Sequence, residues 1–261
     1  MQDGQVSVTA QRVAAQRLTF DRVPAPYGDP AADDTLARDV AAAVSTEPGP
    51  LSDYLRARTR FFDRVVTGAL SRGCGQAVIG AAGYDGRALR YAKPGVRWFE
   101  VDHPATQRDK RERLRRLGIG TGHIRFVAAD FAVDPVPDLL AAAGLTPQQP
   151  ALFLLEGVAV YLDLPVLRTL LGGLRQVAAD GSSLAISLSV STGSTQQAAR
   201  RAAFQATVAA MGEPARSVLE TDDARDLLAS TGWQIPPDAH PAQPDPPDRK
   251  RRAGFVIAVP A

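Results

Sequence analysis

The chain has 261 residues, with 30 basic and 28 acidic side chains and a formal net charge of +2. This balance argues against a general attraction to nucleic acid or to a membrane surface. Cys74 is the single cysteine, which excludes an intrachain disulfide and disfavours a cysteine-based zinc site. The polar amino terminus and the lack of a run of about 18 apolar residues lead us to expect a soluble, cytoplasmic protein.

The first 70 residues predict a helical cap. Apolar side chains at helical spacing indicate helices over 7–20, 33–44 and 51–70. The third helix carries three arginines within five residues, and the i, i+3 relation places Arg58 and Phe61 on one face. Arg58 can therefore point inward and bind a carboxylate through two parallel hydrogen bonds from its guanidinium. The alternative is an ordinary solvated face.

From residue 76 onward, short apolar strands alternate with helices. Strands are predicted at 77–79, 96–101, 124–128, 152–155, 183–189, 233–235 and 254–259. One helix is predicted after the glycine-rich stretch that follows the first strand, ending at about residue 92. Further helices are predicted at 104–117, 135–143, 164–179, 195–211 and 222–230. The proline-rich segment 236–252 predicts a loop inside a terminal hairpin. The alternation predicts an α/β fold with a mostly parallel sheet, which binds ligands at the carboxyl ends of its strands.

We therefore expect one domain over residues 1–261. Its parts would be the cap (1–70), a cofactor-binding core (71–190), a helical substrate-side insertion or lid (191–232) and the terminal hairpin (233–261).

The segment Gly80–Gly86 (GAAGYDG) joins the first strand to a helix. Small residues let the backbone approach a ligand closely, and a helix start offers free amide groups. Asp102 follows Gly83 by 19 residues, at the end of the second strand. A carboxylate at this spacing can accept hydrogen bonds from two ribose hydroxyls, so the pair predicts a nucleoside cofactor without a 2′-phosphate. Without Asp102, an ordinary strand-to-helix turn would explain the glycines.

Two further strands end in acidic residues. Asp130 and Phe131 follow the third strand, where they can bind the edge and face of an adenine, or Asp130 can cap a helix. Glu156 follows the buried run ALFLL. A carboxylate in that place needs a positive partner, which is either a sulfonium or amino group of a cofactor or an arginine of the protein.

Five stretches taken together resemble the leucine carboxyl methyltransferase family, whose bacterial branch includes O-methyltransferases of natural-product pathways. They are ARTRFFDRVV (57–66), GAAGYDGRALRY (80–91), WFEVDHP (98–104), FVAADF (126–131) and LEGVAVYL (155–162). The resemblance spans roughly residues 7–190. It implies a class I, Rossmann-like methyltransferase fold, with helices on both faces of a seven-stranded sheet that has one antiparallel hairpin edge. It also implies S-adenosyl-L-methionine as the methyl donor.

The resemblance also implies roles for individual residues. Arg58 would bind the methionine carboxylate, and Glu156 the methionine amino group. Gly83 would lie under the methionine part, and Ala81 belongs to the same cofactor-binding turn. The remaining cofactor residues would be Asp102 on the ribose, with His103 beside it, and Asp130 and Phe131 on the adenine. Ala81 departs from the family, which usually has glycine at that position; the extra methyl group is tolerable there but can weaken binding.

The acceptor side is less defined. A carboxylate acceptor is ionised at neutral pH, given a pKa near ~4, whereas a phenol near ~10 needs a general base. His103 is the best-placed base, unless it merely shapes the pocket, and Tyr84 and Tyr161 are pocket candidates, Tyr161 with a possible catalytic part. The three histidines are scattered, which predicts no metal site.

Three functions fit these patterns: an O-methyltransferase of a small-molecule carboxylate, a methyltransferase of protein or peptide carboxyl termini, and a non-methylating protein of the same fold, such as a cyclase. An NAD-dependent dehydrogenase is disfavoured, because G-x-G-x-x-G is missing and Glu156 would have no purpose. We expect a small-molecule partner, no nucleic acid and no membrane, and a monomer or homodimer.

Overall fold

Two compact units, Met1–Asp130 and Phe131–Ala261, divide the chain. The computed structural model describes residues 6–44, 51–191, 202, 205–206, 214–237 and 254–261. Each unit has its own helices and strands and is considered by itself. The single-domain organisation expected from the sequence stays a prediction.

Three helices open the first unit, as predicted. They are α1 (Val8–Gln16), which runs into a 3-10 turn at Arg17–Thr19, α2 (Pro30–Ala41) and α3 (Ser52–Ser71). Helix α2 begins three residues earlier than predicted. The Asp29 carboxylate accepts a hydrogen bond from the Ala32 amide at 2.9 Å, and Pro30 takes the first helical position. Both features favour a helix start at this point.

The rest of the first unit alternates between strands and helices: β1 (Gln76–Gly80), α4 (Arg87–Arg90), β2 (Arg97–Asp102), α5 (Pro104–Arg116) and β3 (Ile124–Ala128). Strand β2 pairs in parallel with β1 on one side and β3 on the other, with Gly80 opposite Val101 and Asp102 opposite Ala128. The ends of the three strands therefore meet at one edge, where the glycine-rich turn and Asp102 lie. Helix α4 follows this turn, as predicted, and ends at Arg90, two residues before the expected end near residue 92.

The second unit contains α6 (Val136–Ala142), β4 (Leu152–Leu155), a 3-10 turn (Ala159–Tyr161), α7 (Leu164–Gln176), β5 (Ser183–Ser187), β6 (Val190–Ser191), β7 (Leu219–Glu220), α8 (Thr221–Ser230), β8 (Trp233–Gln234) and β9 (Phe255–Pro260). Strand β5 is parallel to β4 and antiparallel to β9, and β9 is antiparallel to β8. The terminal antiparallel hairpin is thus confirmed. The short parallel pair of β6 and β7 was not predicted.

The α/β class with mostly parallel pairing is confirmed. In the described part of the chain, seven strands lie outside the β6–β7 pair, which is the predicted number: three in the first unit and four in the second. Helix α7 ends three residues earlier than predicted, and Gly181 in the following turn has a φ of 83°. The predicted helix over 195–211 and most of the 236–252 loop lie outside the described residues. None of the described helices could span a membrane.

Candidate functional site

The turn after β1 has an unusual backbone. Ala81 has a φ of 52° and Gly83 a φ of 49°, both in the left-handed region. Ala81 is the one non-glycine residue with positive φ among those described, and alanine there costs about 1–2 kcal/mol. The Ala82 amide donates to the Val101 carbonyl at 3.1 Å, which ties the turn to β2. The turn is therefore strained where its sequence departs from the family.

Gly83 is required for space as well as for backbone conformation. A Cβ atom at this position would lie 2.8 Å from the Cβ of Ala10 in α1. Real side chains do not approach that closely, so any other residue would displace α1. The first helix therefore packs directly on the small-residue turn, and the absent side chain permits that contact.

Asp102 fastens this turn from the neighbouring strand. One of its carboxylate oxygens accepts from the Gly83 amide, and the other accepts from the His103 amide at 2.6 Å. A carboxylate has about four acceptor positions, so two remain for the hydroxyls of a ribose. Burial raises the pKa of Asp102, and the two amide bonds act in the opposite direction. The expected nucleoside fits this arrangement, because the turn has small residues and the Asp102 carboxylate still has two acceptor positions.

His103 is the N-cap of α5. Its Nδ1 accepts from the Ala105 amide at 3.4 Å, and Pro104 occupies the first helical position. In that arrangement the proton of a neutral imidazole lies on Nε2, which then donates rather than accepts. The local structure therefore gives His103 a capping role. Its expected role as a general base stays a prediction.

Asp130 and Phe131 lie two and three residues after Ala128, the last residue of β3, and both are half-buried. Helix α6 begins only at Val136, and Pro135 is its N-cap residue. Asp130 therefore does not cap that helix, which removes the alternative that we considered for it. Adenine binding by this pair stays a prediction.

Glu156 follows the four buried residues of β4 and is itself half-buried. The next residue, Gly157, has a φ of 72°, and its amide donates to the Ser187 hydroxyl at 2.7 Å. The turn that presents Glu156 is thus held at the end of β5. Sequence reasoning missed Ser187, since nothing in the pattern links a serine 30 residues further on to this turn.

Tyr161 ends the 3-10 turn of the same loop and is half-buried. This loop is bound to the segment before β7. The Ser217 hydroxyl donates to the Ala159 carbonyl and the Arg216 amide donates to the Val160 carbonyl, each at 2.7 Å. The second unit therefore holds Glu156 and Tyr161 on one ordered loop.

Arg58 and Tyr84 are the remaining candidates of the first unit, and their expected roles stay predictions. Arg58 is half-buried, with its guanidinium 5.6 Å from the Tyr54 ring, and the inward face of α3 is formed by its neighbours Thr59 and Phe62. Tyr84 is only 2% exposed, and its hydroxyl donates to Asp109. Burial, followed by Asp109, raises the pKa of that hydroxyl. The hydroxyl of Tyr84 is therefore engaged by the protein itself, and its expected contact with an acceptor stays a prediction.

An alternating chain of buried or half-buried ion pairs was missed by sequence reasoning. Its members are, in order of contact, Arg17, Asp85, Arg87, Asp63, Arg22, Asp33, Arg90 and Asp34. The four positive and four negative side chains connect α2, α3 and the end of α1 with the small-residue turn. Asp63 lies in a stretch that resembles the family, but its partners are distant in sequence.

Asp63 lies at the centre of this series of ion pairs. Burial raises the pKa of Asp63, but Arg87 and Arg22 outweigh burial, so that its pKa lies below the ordinary value. Arg22 reaches both oxygens of Asp63, at 2.7 and 2.8 Å. The carboxylate is therefore charged and fully paired in the folded protein.

The first unit thus brings Ala81, Gly83, Asp102 and His103 together through backbone and side-chain bonds. The second unit brings Glu156 and Tyr161 onto one loop. No group of three or more His, Cys, Asp or Glu side chains suitable for a metal ion occurs in the described part of the chain.

Comparison with known proteins identifies the family. The leucine carboxyl methyltransferase family model matches residues 8–174. A candidate S-adenosyl-L-methionine-dependent methyltransferase of Mycolicibacterium smegmatis is 32% identical over 259 residues, which cover 88% of this chain and 84% of the relative. One from Mycolicibacterium gilvum is 34% identical over 208 residues, covering 69% of this chain and 66% of the relative.

A solved structure supports the fold. The crystal structure of a candidate methyltransferase from Thermobifida fusca aligns with a TM-score of 0.61 at 20% identity, covering 99% of this chain and 96% of that one. The class I methyltransferase fold expected from the resemblance is confirmed. The matched residues 8–174 include all ten of the candidate site residues. The chain belongs to the leucine carboxyl methyltransferase family.

Proposed function

We propose that this S-adenosyl-L-methionine-dependent methyltransferase acts on a carboxylate oxygen of a small-molecule acceptor of the natural-product class. The observation that carries the proposal is the family match over residues 8–174, because the family description names a carboxyl group. The capping bond of His103 supports it. A carboxylate acceptor is already ionised, so it does not require the base that His103 would otherwise have to provide.

In the proposed site, Gly83 would lie under the methionine part of the cofactor, with Ala81 in the same turn. Small side chains at both positions would let the ligand approach the backbone closely. Asp102 retains free acceptor positions for the ribose hydroxyls while it holds the Gly83 amide. Asp130 and Phe131 would take the adenine edge and face.

The methionine end is assigned to two charged residues. Glu156 would accept from the amino group, and Arg58 would pair with the carboxylate through its planar guanidinium. S-adenosyl-L-methionine supplies an electrophilic methyl group, so that the protein contributes mainly binding and orientation. Orientation alone is worth effective molarities of about 10⁵ M or more. Tyr161, on the ordered loop after Glu156, is our candidate for contact with the acceptor.

The test is a labelled methyl-transfer assay with purified protein and a panel of acceptors. The panel contains small carboxylic acids, phenols, and peptides with free or amidated carboxyl termini. We expect label in a small-molecule product that is released by mild base, as an ester is. A base-stable ether would point to a phenol acceptor, and labelling that needs a free peptide carboxyl terminus would point to a protein substrate. Either result contradicts the proposal.

A further inference from the structure

Lys110 of α5 lies beneath the small-residue turn and is 1% exposed. Its ammonium group donates to the carbonyl of Asp85 at 2.7 Å and to a carboxylate oxygen of Glu100 at 2.6 Å. The first bond holds the backbone of the turn, and the second reaches β2. One buried cation therefore connects α5 with the two chain segments that meet at Asp102.

Glu100 is equally buried, at 1% exposure, and lies two residues before Asp102. Side chains two residues apart in a strand share one face, so both carboxylates face the same way. The second carboxylate oxygen of Glu100 has no hydrogen-bond partner among the described residues. Burial raises the pKa of Glu100, Lys110 lowers it, and Asp85 and Asp102 raise it.

Three carboxylates thus surround the turn: Asp85, Glu100 and Asp102. Asp85 has its own positive partners, Arg17 at 3.1 Å and Arg87. After the amide bonds of Gly83 and His103, the charge of Lys110 contributes most to lowering the pKa of Asp102. Lys110 is therefore the leading charge that offsets the burial of Asp102.

A merely structural role explains this pair poorly. Removing two charges from water costs several kcal/mol per ion, and apolar residues of similar volume are often as stable or more stable. A buried pair with one unsatisfied oxygen is thus an expensive way to fill the core. Its placement between the turn and Asp102 provides a reason for it.

We propose that Lys110 is a positioning residue of the cofactor site, which holds the Asp85 carbonyl of the turn and ties that turn to β2 through Glu100. This inference rests on the proposed binding of ribose by Asp102. Lys110 itself touches neither the cofactor nor the acceptor. Its effect reaches the ligand through the turn backbone and through the charge of Asp102.

The test compares Glu100→Gln with the double variant Glu100→Gln/Lys110→Met. In this background the loss of Lys110 does not leave a Glu100 carboxylate buried without its cation, so the effect on the turn and on Asp102 can be measured separately. Calorimetric titration with S-adenosyl-L-methionine is performed between pH 5 and 8, and thermal melting checks folding. We expect both proteins to fold and the double variant to bind about tenfold more weakly. As the pH is lowered, the affinity of the double variant should begin to fall at a higher pH than the affinity of Glu100→Gln. The reason is that Asp102 is protonated more easily without Lys110.

Equal affinity and an equal pH profile in these two proteins would overturn the inference and leave Lys110 as a core ion pair. If the double variant does not fold, Lys110→Gln is compared with the native protein instead. The amide of the new glutamine can still donate to Glu100. Asp102→Asn is measured in parallel. If that variant binds as the native protein does, the ribose assignment itself fails, which is a separate result from an unchanged Lys110 variant.

Discussion

Replacing Ala81 by glycine should stabilise this protein, although glycine ordinarily destabilises. Ala81 has a φ of 52°, and the left-handed conformation costs an alanine about 1–2 kcal/mol. Glycine removes that strain. It also adds conformational freedom to the unfolded chain, which costs about 0.4–1 kcal/mol. The difference is a net stabilisation of roughly 0.5–1 kcal/mol.

The matched control is one residue away. Ala82 is 4% exposed, and it is not among the residues with positive φ. Ala82→Gly therefore relieves no strain, loses a buried methyl group worth about 0.8 kcal/mol and loosens the unfolded chain. We expect a destabilisation of about 1–2 kcal/mol. The same chemical change should thus have opposite signs at neighbouring positions.

Urea unfolding measures both effects as shifts in midpoint at constant slope. A rise of about 1–3 °C in Tm for Ala81→Gly is the thermal counterpart for a chain of this length. Cofactor affinity should not fall, because no side chain that binds is removed. A loss of stability equal to that of Ala82→Gly would refute the reasoning, since it would mean that Ala81 does not hold the left-handed conformation in solution.

Three further predictions concern Gly83 and Asp63 of the first unit and Glu156 of the second. Gly83→Ala should destabilise the protein by more than about 1 kcal/mol, because its Cβ would meet that of Ala10 at 2.8 Å. An unchanged urea midpoint would show that α1 can move away from the turn without loss of stability. Asp63→Ala should cost about 3–5 kcal/mol at pH 7, since it leaves buried arginines unpaired. The folded-state pKa of Asp63 is depressed, so its contribution is present above the unfolded pKa of 3.8 and is lost as the pH falls below that value. The native protein should therefore lose stability on acidification more steeply than the variant, and parallel pH profiles would contradict this. Glu156→Gln should weaken cofactor binding at least tenfold in calorimetry, because a neutral amide no longer pairs with the methionine amino group, and an unchanged affinity would contradict that assignment.

The sequence predicted most of the fold, because its signals are local. Hydrophobic periodicity and turn residues placed β2, β3 and β4 within a residue of their observed bounds. The local pattern does not show which tertiary contacts these elements make. The turn before α4, for example, passes so close to α2 that a Cβ at Gly86 would meet the Asp33 carboxylate at 1.7 Å.

The candidate site divides in the same way. The sequence pattern alone placed Asp102 at the end of β2 and Glu156 directly after β4. The resemblance to the family came from five short stretches that occur in the same order along the chain. The sequence could not show that Asp102 accepts from the Gly83 amide or that Tyr84 is buried against Asp109. These facts depend on which side chains face each other once the strands are paired.

What the sequence by itself determined is therefore the family, the alternation of strands and helices, and the positions of the acidic residues at strand ends. Only the tertiary structure decided the strain at Ala81, the ion chain centred on Asp63 and the buried contact of Lys110 with Glu100 and Asp85. The physical reason is one of range. Periodicity and turn chemistry act over a few neighbouring residues, whereas the partners of Asp63 and Lys110 lie up to 41 residues away and are brought into contact only by folding.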